Sequence, residues 1–155
     1  MLALILVSNQ MTRYTKINLF LIMETIMTTK TIQIISTDNA PSAIGPYSQA
    51  TKANGFVFCS GQIALDPKTG TLVGDDVETQ TKQVLKNLEA VLLAAGSGFE
   101  HVVKTTIFLK DMADFKAVND IYSTAFSHHK PARATVAAAG LPMDVLVEIE
   151  CVALG

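Results

Sequence analysis

The chain has 155 residues, 49% hydrophobic and 17% charged, with a formal net charge of −2. This length fits one domain with a real core, and the apolar content excludes extended disorder. A weakly acidic chain has no general attraction to nucleic acid or to anionic membrane surfaces, so we expect neither as a partner.

Residues 1–29 differ in character from the rest of the chain. They contain two short apolar runs, MLALILV and INLFLIM, separated by a polar patch with Arg13 and Lys16. Neither run is long enough to span a bilayer, and a secretory signal would have its basic residues before the apolar run. We therefore expect an N-terminal extension of uncertain role over 1–29, one domain over 30–155 and a cytoplasmic location. A mitochondrial leader within 1–29 is the alternative.

The first half of the domain reads as strands and turns. Residues 31–36 are predicted to form a strand, and residues 47–52 and 55–60 a β-hairpin, because Asn54-Gly55 is a strong turn signal. Tyr47 opens this hairpin, and it either packs its ring locally or faces a ligand.

The dipeptide Ser60-Gly61 ends the hairpin and also has two interpretations. Such a pair commonly turns the chain. It can instead expose a hydroxyl and backbone amides to a ligand.

Two helices and a strand follow. Residues 76–95 carry an apolar stripe at intervals of three and four, with Asp75 or Asp76 placed to cap the start and Gly96 to close the end. Residues 102–110 are predicted as a strand and residues 112–129 as a second helix. The element order predicts an α+β domain, a mixed β-sheet with two helices on one face.

The last segment reads as two strands joined by a turn. Residues 132–139 are small or β-branched apart from Arg133, and residues 145–154 alternate for their whole length. One face of the second strand is apolar, whereas the other carries Glu148 and Glu150.

A hairpin about Pro142 would place Arg133 opposite Cys151, and Glu148 opposite Val136. The two charged residues would then lie about 10 Å apart along the strands. This parity puts Arg133 and Glu148 on opposite faces of the sheet. A pocket that uses both is therefore easier to build if a neighbouring chain supplies one side.

Arg133 presents a planar fork of donors that suits a carboxylate or a phosphate. The alternative is a surface cation that pairs with Glu148 or Glu150. Cys59 and Cys151 lie in apolar runs, so we expect buried free thiols in a reducing compartment, although a disulfide stays open. Neither cysteine has the spacing of a zinc site.

Several enzyme classes lack their motifs here. The sequence contains no GxGxxG, no GxxxxGK[ST] and no HExxH, and its histidines form no convincing triad. We expect no metal and no cofactor. The remaining set of Arg133, Glu148, Tyr47 and Ser60 suits a small carboxylate-bearing substrate that is attacked by water.

Four blocks resemble one known family in the same order. They are IGPYSQA, FCSGQIALDPKTG, KTTIFLKDMADFKAVNDIY, and PARATV followed by LPMDVLVEIE. Together they resemble the RidA family, also called YjgF or L-PSP, over about residues 31–155. The resemblance implies a chorismate-mutase-like (bacillus-type) fold. It also implies a homotrimer whose sheets form a central barrel, with ligand clefts between subunits.

The resemblance also implies an activity and a site. RidA proteins hydrolyse reactive 2-imino acids such as 2-iminobutanoate and 2-iminopropanoate to 2-keto acids and ammonia, which protects pyridoxal-phosphate enzymes. Arg133 would grip the substrate carboxylate, and Glu148 would hold the attacking water and relay a proton. The substrate-binding residues implied are Tyr47, Ser60, Gly61, Arg133 and, through its backbone, Thr135.

Other functions stay open at this point. Some relatives have been described as endoribonucleases or translation inhibitors, and a non-catalytic small-carboxylate-binding module is a third option. The acidic balance and the lack of an aromatic-basic platform argue against RNA binding. Two departures from the family pattern bear on the site: Thr135 stands where many members have Cys, and Gly140 where many have a longer side chain.

Overall fold

The computed structural model describes residues 31–155, of which residues 32–155 form one compact unit. The strands of this part are β1 (Gln33–Ile35), β2 (Ala50–Ala53), β3 (Phe56–Gln62), β4 (Val102–Leu109), β5 (Ala132–Ala137) and β6 (Val147–Leu154). Its α-helices are α1 (Val77–Ala94) and α2 (Phe115–Ala125), and its 3-10 helices are Phe99–His101, Met112–Asp114 and Pro142–Asp144. The expected extension over residues 1–29 lies outside the described residues.

The strands form one mixed sheet in the order β1-β2-β3-β6-β4-β5. All neighbouring pairs are antiparallel except β4 and β5, which are parallel. The α+β class with a mixed sheet is thereby confirmed. The predicted hairpin between the last two strands is wrong, because β4 lies between β5 and β6. Helix α2 connects β4 to β5 as a crossover, which makes those two strands parallel neighbours.

The rows of the sheet nevertheless match the predicted offset. Arg133 lies in the same row as Cys151, and Glu148 in the same row as Val136, with a β4 residue between the partners of each row. Successive residues of a strand point to opposite faces. Arg133 and Glu148 are three rows apart, so their side chains project from opposite faces of the sheet.

One face of the sheet is covered by the helices and forms the core. Helices α1 and α2 pack against each other, and α1 also packs against β3 and β6. The predicted apolar face of β6 is the buried one, with Val147, Ile149, Cys151 and Ala153. Cys59 lies opposite Cys151 in this core, and both are buried free thiols, as expected. Burial of each large aliphatic side chain contributes about 1.5–3 kcal/mol to folding.

The helix ends follow the local chemistry. The carboxylate of Asp76 accepts a hydrogen bond from the Thr79 amide at 2.8 Å, and Gly96 closes α1 with a φ of 74°. Helix α2 is shorter than predicted, because it ends at Ala125 rather than at residue 129. Pro131 disfavours helical backbone at the residue before it, which favours an extended approach to β5.

The other face of the sheet is open and largely apolar. Five large side chains on this face are 40–69% exposed: Ile34, Phe56, Phe58, Val136 and Leu154. Patches of this kind mark interaction surfaces in soluble proteins. Within residues 31–155, no helix combines the length and the apolar character needed to cross a membrane.

Candidate active site

A pocket of about 330 Å³ lies against the open face of β6. The structure brings four predicted site residues together in it: Tyr47, Ser60, Gly61 and Glu148. The rest of the lining is largely apolar and includes Ile44, Ile63, Leu65 and Pro142. We call this cavity the Glu148 pocket.

A β-bulge in β3 places Gly61 directly beneath Glu148. The register between β3 and β6 shifts between Cys59 and Gln62, so strand β3 continues past the predicted end at residue 60. A Cβ atom at position 61 would overlap the Oε1 atom of Glu148. The carboxylate therefore occupies space that only a glycine leaves free. This contact explains a residue that the sequence could only mark as a turn or a ligand contact.

The environment of Glu148 disfavours its charged form. Burial raises the pKa of the Glu148 carboxyl, and the negative charge of Glu150, two residues along the same face, raises it further. A carboxyl with a raised pKa in a cleft is suited to general acid–base chemistry.

Two hydroxyl groups stand on the wall of the Glu148 pocket. The half-exposed Tyr47 accepts a long hydrogen bond of 3.4 Å from the Ile44 amide at its hydroxyl. The Ser60 hydroxyl donates to the Ser48 carbonyl at 2.7 Å and keeps its lone pairs for a further donor. Both hydroxyls are thus positioned by local hydrogen bonds.

Gln49 holds one wall of the pocket in place, a role that no sequence pattern predicted. Its buried Oε1 accepts from the Thr37 amide at 2.6 Å, and its Nε2 lies within hydrogen-bond distance of the carbonyls of Thr37, Ala40 and Pro41. Glutamine side chains are more often exposed to solvent, so only the fold distinguishes this one.

Arg133 lies in a separate groove of about 620 Å³ between α2 and the segment that leads into β5. Its Nη1 donates to Oδ1 of Asn119 at 2.9 Å, and its guanidinium lies 5.0 Å from the ring centre of Tyr122 and 5.7 Å from that of Phe115. These contacts orient the fork, and most of its donors have no hydrogen-bond partner within residues 31–155. We call this cavity the Arg133 groove.

The structure excludes one of the two interpretations of Arg133, namely a surface ion pair with Glu148 or Glu150. Within residues 31–155, Arg133 has no carboxylate partner, so the expected surface pair with Glu148 or Glu150 is not formed. Asn119, which orients the guanidinium, was not predicted. Its position on α2, one turn before Tyr122, is the only signal that the sequence offers.

Thr135 lies two residues after Arg133 on the same face of β5. It lines neither the Glu148 pocket nor the Arg133 groove. Its Oγ1 atom is buried and has no hydrogen-bond partner among the residues that the structure describes. A buried hydroxyl without a partner is energetically unfavourable, by about 1–3 kcal/mol.

The two halves of the predicted site are therefore far apart within the chain. Arg133 and Glu148 are separated by two strand spacings and three rows, roughly 14 Å between Cα atoms, and they face opposite ways. Each half has one kind of charge: a cation in the groove and a carboxylate in the pocket. One small acid cannot contact both within a single chain.

The fold and these two half-sites define a small α+β protein with a cationic groove on one face of its sheet and a partly buried carboxyl in a pocket on the other. The family model described as Endoribonuclease L-PSP matches residues 37–154. The chain belongs to this family, which is also known as RidA or YjgF.

Individual relatives agree with this assignment. A RutC family protein of Synechocystis sp. is 60% identical over 80% of this chain and 97% of its own. The 2-iminobutanoate/2-iminopropanoate deaminase of Mus musculus is 51% identical over 79% of this chain and 90% of its own. A solved structure from Yersinia pestis, described as a protein of unknown function of the conserved Rid family, has 52% identity and a TM-score of 0.79. It covers 81% of this chain and 100% of that one.

Proposed function

We propose that this protein hydrolyses 2-imino acids, among them 2-iminobutanoate and 2-iminopropanoate, to 2-keto acids and ammonia. The observation that carries the proposal is the pair of complementary half-sites. One has a guanidinium fork with no acidic partner within residues 31–155, and the other has a half-buried carboxyl. The mouse relative, 51% identical, is named for this reaction.

Each half-site has a defined part in the reaction. Arg133 binds the substrate carboxylate with parallel hydrogen bonds, because its fork has free donors and no acidic partner within residues 31–155. Glu148 holds a water molecule and takes its proton as the new C–O bond forms and the C=N π electrons move to nitrogen. The proton is then delivered to the amino group of the tetrahedral intermediate formed from the protonated imine. The carbinol oxygen forms the C=O bond as the C–N bond breaks, ammonia leaves, and the carbinol proton passes to the Glu148 carboxylate and from there to solvent.

The chemistry needs little more than positioning. An imine is already an activated electrophile, so orientation of water and substrate together with a proton path supplies the acceleration. Tyr47 and Ser60 are placed to hydrogen-bond the substrate or the water at the pocket wall. We expect no cofactor.

The proposal includes a homotrimer with the site at the subunit boundary. The open sheet face, with its exposed Phe56, Phe58 and Leu154, supports association of this face with other copies. Closed cyclic symmetry with a head-to-tail interface would bring the Arg133 groove of one subunit to the Glu148 pocket of the next. Such a cleft would also give the buried Thr135 hydroxyl a ligand or a partner residue to bond.

The first test measures keto-acid formation from 2-aminoacrylate or 2-aminocrotonate generated in situ by a dehydratase. We expect wild type to accelerate loss of the imine and Arg133→Ala to be strongly impaired. Lys86→Ala is a suitable control, since Lys86 is an exposed cation on α1 outside both cavities. Absence of acceleration by wild type would contradict the proposal. Ligand binding without turnover would favour a carboxylate-binding module, and salt-sensitive RNA cleavage would favour the nuclease alternative.

A further inference from the structure

The Arg133 groove contains two cations and no acidic side chain among its described lining. Lys130 and Arg133 line it, and its other lining residues are neutral. Lys130 makes no ion pair within residues 31–155. The acidic residue of α2, Asp120, is engaged by Lys116 at 2.6 Å and does not line the groove. The groove is therefore doubly positive.

The two cations are close enough to act on one small molecule. Residues 130–133 form a short segment through Pro131, so the Cα atoms of Lys130 and Arg133 are at most roughly 10 Å apart. Both side chains border the same cavity. Since Lys130 is exposed and flexible, its ammonium can approach an anion that Arg133 already holds.

The groove is also larger than a three- or four-carbon acid requires. Its volume of about 620 Å³ falls in the range of pockets for much larger ligands, roughly 300–1,000 Å³. Ser123, Ser127 and Lys130 line this groove together with Arg133. A longer, polar substrate side chain would find both space and a countercharge there.

We infer that this protein prefers 2-imino acids whose side chain ends in a second carboxylate, together with the corresponding dicarboxylic 2-keto acids. Arg133 binds the carboxylate next to the imine carbon, and Lys130 binds the distal one. For its reaction this inference rests on the proposed imine hydrolysis, whereas the preference for two anionic groups rests on the groove itself. Water still adds at the imine carbon and ammonia still leaves, so the distal carboxylate takes no part in bond making.

The apolar wall of the Glu148 pocket, with Ile44, Ile63 and Leu65, is the competing influence. It would favour a hydrocarbon side chain of the same length. Two five-carbon acids separate these preferences, since 2-oxopentanedioate and 2-oxopentanoate differ mainly in a terminal carboxylate or methyl group.

The decisive experiment measures binding of both keto acids to the full-length protein by calorimetry, in wild type and in Lys130→Gln. We expect wild type to bind 2-oxopentanedioate more tightly than 2-oxopentanoate. Lys130→Gln should weaken the binding of 2-oxopentanedioate about three- to fivefold, as expected for the loss of an exposed ion pair. It should leave the binding of 2-oxopentanoate unchanged. Lys130→Arg should retain the preference, and Lys86→Gln, with the same charge change outside the groove, should have no effect.

Kinetics with the imines of glutamate and norvaline, generated by an amino-acid oxidase, should give the same pattern in kcat/KM. Equal binding of the two acids by wild type, or equal loss of both in Lys130→Gln, would overturn the inference. If neither imine is hydrolysed but the binding pattern holds, the proposed hydrolysis fails and the dicarboxylate preference stands. If the norvaline imine is hydrolysed as fast as the glutamate imine, hydrolysis stands and the preference fails.

Discussion

The Glu148 pocket and the Arg133 groove are built in different ways on opposite faces of one sheet. In the pocket, the backbone does the positioning: a bulge in β3 and the absence of a side chain at Gly61 let the carboxylate settle against the strand. In the groove, side chains position the charged group, because Asn119 and two aromatic rings orient the Arg133 guanidinium. A carboxyl fixed by backbone has little freedom, whereas a cation on a flexible stem can adapt to its ligand.

The largest loss of activity is expected when the acid–base group of the Glu148 pocket is removed. Glu148→Gln keeps the shape of the side chain but cannot take a proton from water, so we expect kcat to fall about 10²- to 10³-fold. Binding of a 2-keto acid should survive, since Arg133 is intact. Glu150→Gln is the matched control, the same change two residues along the strand, and should keep most of the activity at its optimal pH. A Glu148→Gln variant with near wild-type kcat would exclude Glu148 as the proton carrier.

A smaller loss of activity is expected when a side chain at position 61 keeps the Glu148 carboxylate away from the backbone of β3. The methyl group of Gly61→Ala would overlap the Glu148 carboxylate and displace it, which should lower kcat/KM about tenfold or more. Gly140→Ala adds the same methyl group where no atom lies within 4 Å, and it should be neutral. Equal kinetics of the two variants would show that the position of the carboxylate is not critical.

Substitutions in the Arg133 groove should reduce activity less, and mainly by weakening substrate binding. Asn119→Ala removes a side-chain oxygen that holds Arg133 at 2.9 Å, so we expect KM to rise about fivefold with a smaller change in kcat. Ser123→Ala, one turn further along α2, removes a groove hydroxyl that bonds the Asp120 carbonyl instead, and it should change KM little. A loss confined to kcat in Asn119→Ala would mean that Asn119 acts on the chemistry rather than on the cation.

The smallest predicted effect concerns the electrostatics of the Glu148 pocket, through the pKa of its carboxyl group. The negative charge of Glu150 raises the pKa of Glu148, so Glu150→Gln should lower that pKa. A base with a lower pKa stays deprotonated to lower pH, so the acid limb of kcat/KM should move to lower pH, by less than about one unit. Burial, the larger cause of the raised pKa, is untouched by this change. A shift to higher pH would contradict the assignment of Glu148 as the ionised base.

Periodicity and turn chemistry predicted much of the fold. The alternation from Val145 to Ala153 identified the buried face of β6, and Asn54-Gly55, with φ values of 51° and 78°, forms the predicted turn. The order of the last strands could not be predicted, because nothing local says that β4 intervenes between β5 and β6. Proximity along the chain favoured a hairpin that the crossover through α2 excludes.

The candidate site was likewise predictable only in part from the sequence. Tyr47, Ser60, Gly61 and Glu148 were named from sequence and resemblance, and the structure gathers them in one pocket. The contact between Gly61 and Glu148 depends on a one-residue register shift that no local pattern encodes. Gln49, likewise, acts through a loop about ten residues upstream, and such long-range hydrogen bonds become visible only in the folded chain.

The most direct test of the central claim combines two damaged subunits. Arg133→Ala and Glu148→Gln are co-expressed with different tags, and mixed oligomers are isolated through both tags. If each site takes Arg133 from one subunit and Glu148 from the next in a cyclic trimer, every mixed trimer contains one intact site in three. We predict recovery of about one third of wild-type activity, far above either parent variant. Mixed oligomers as inactive as their parents would contradict a site shared between subunits.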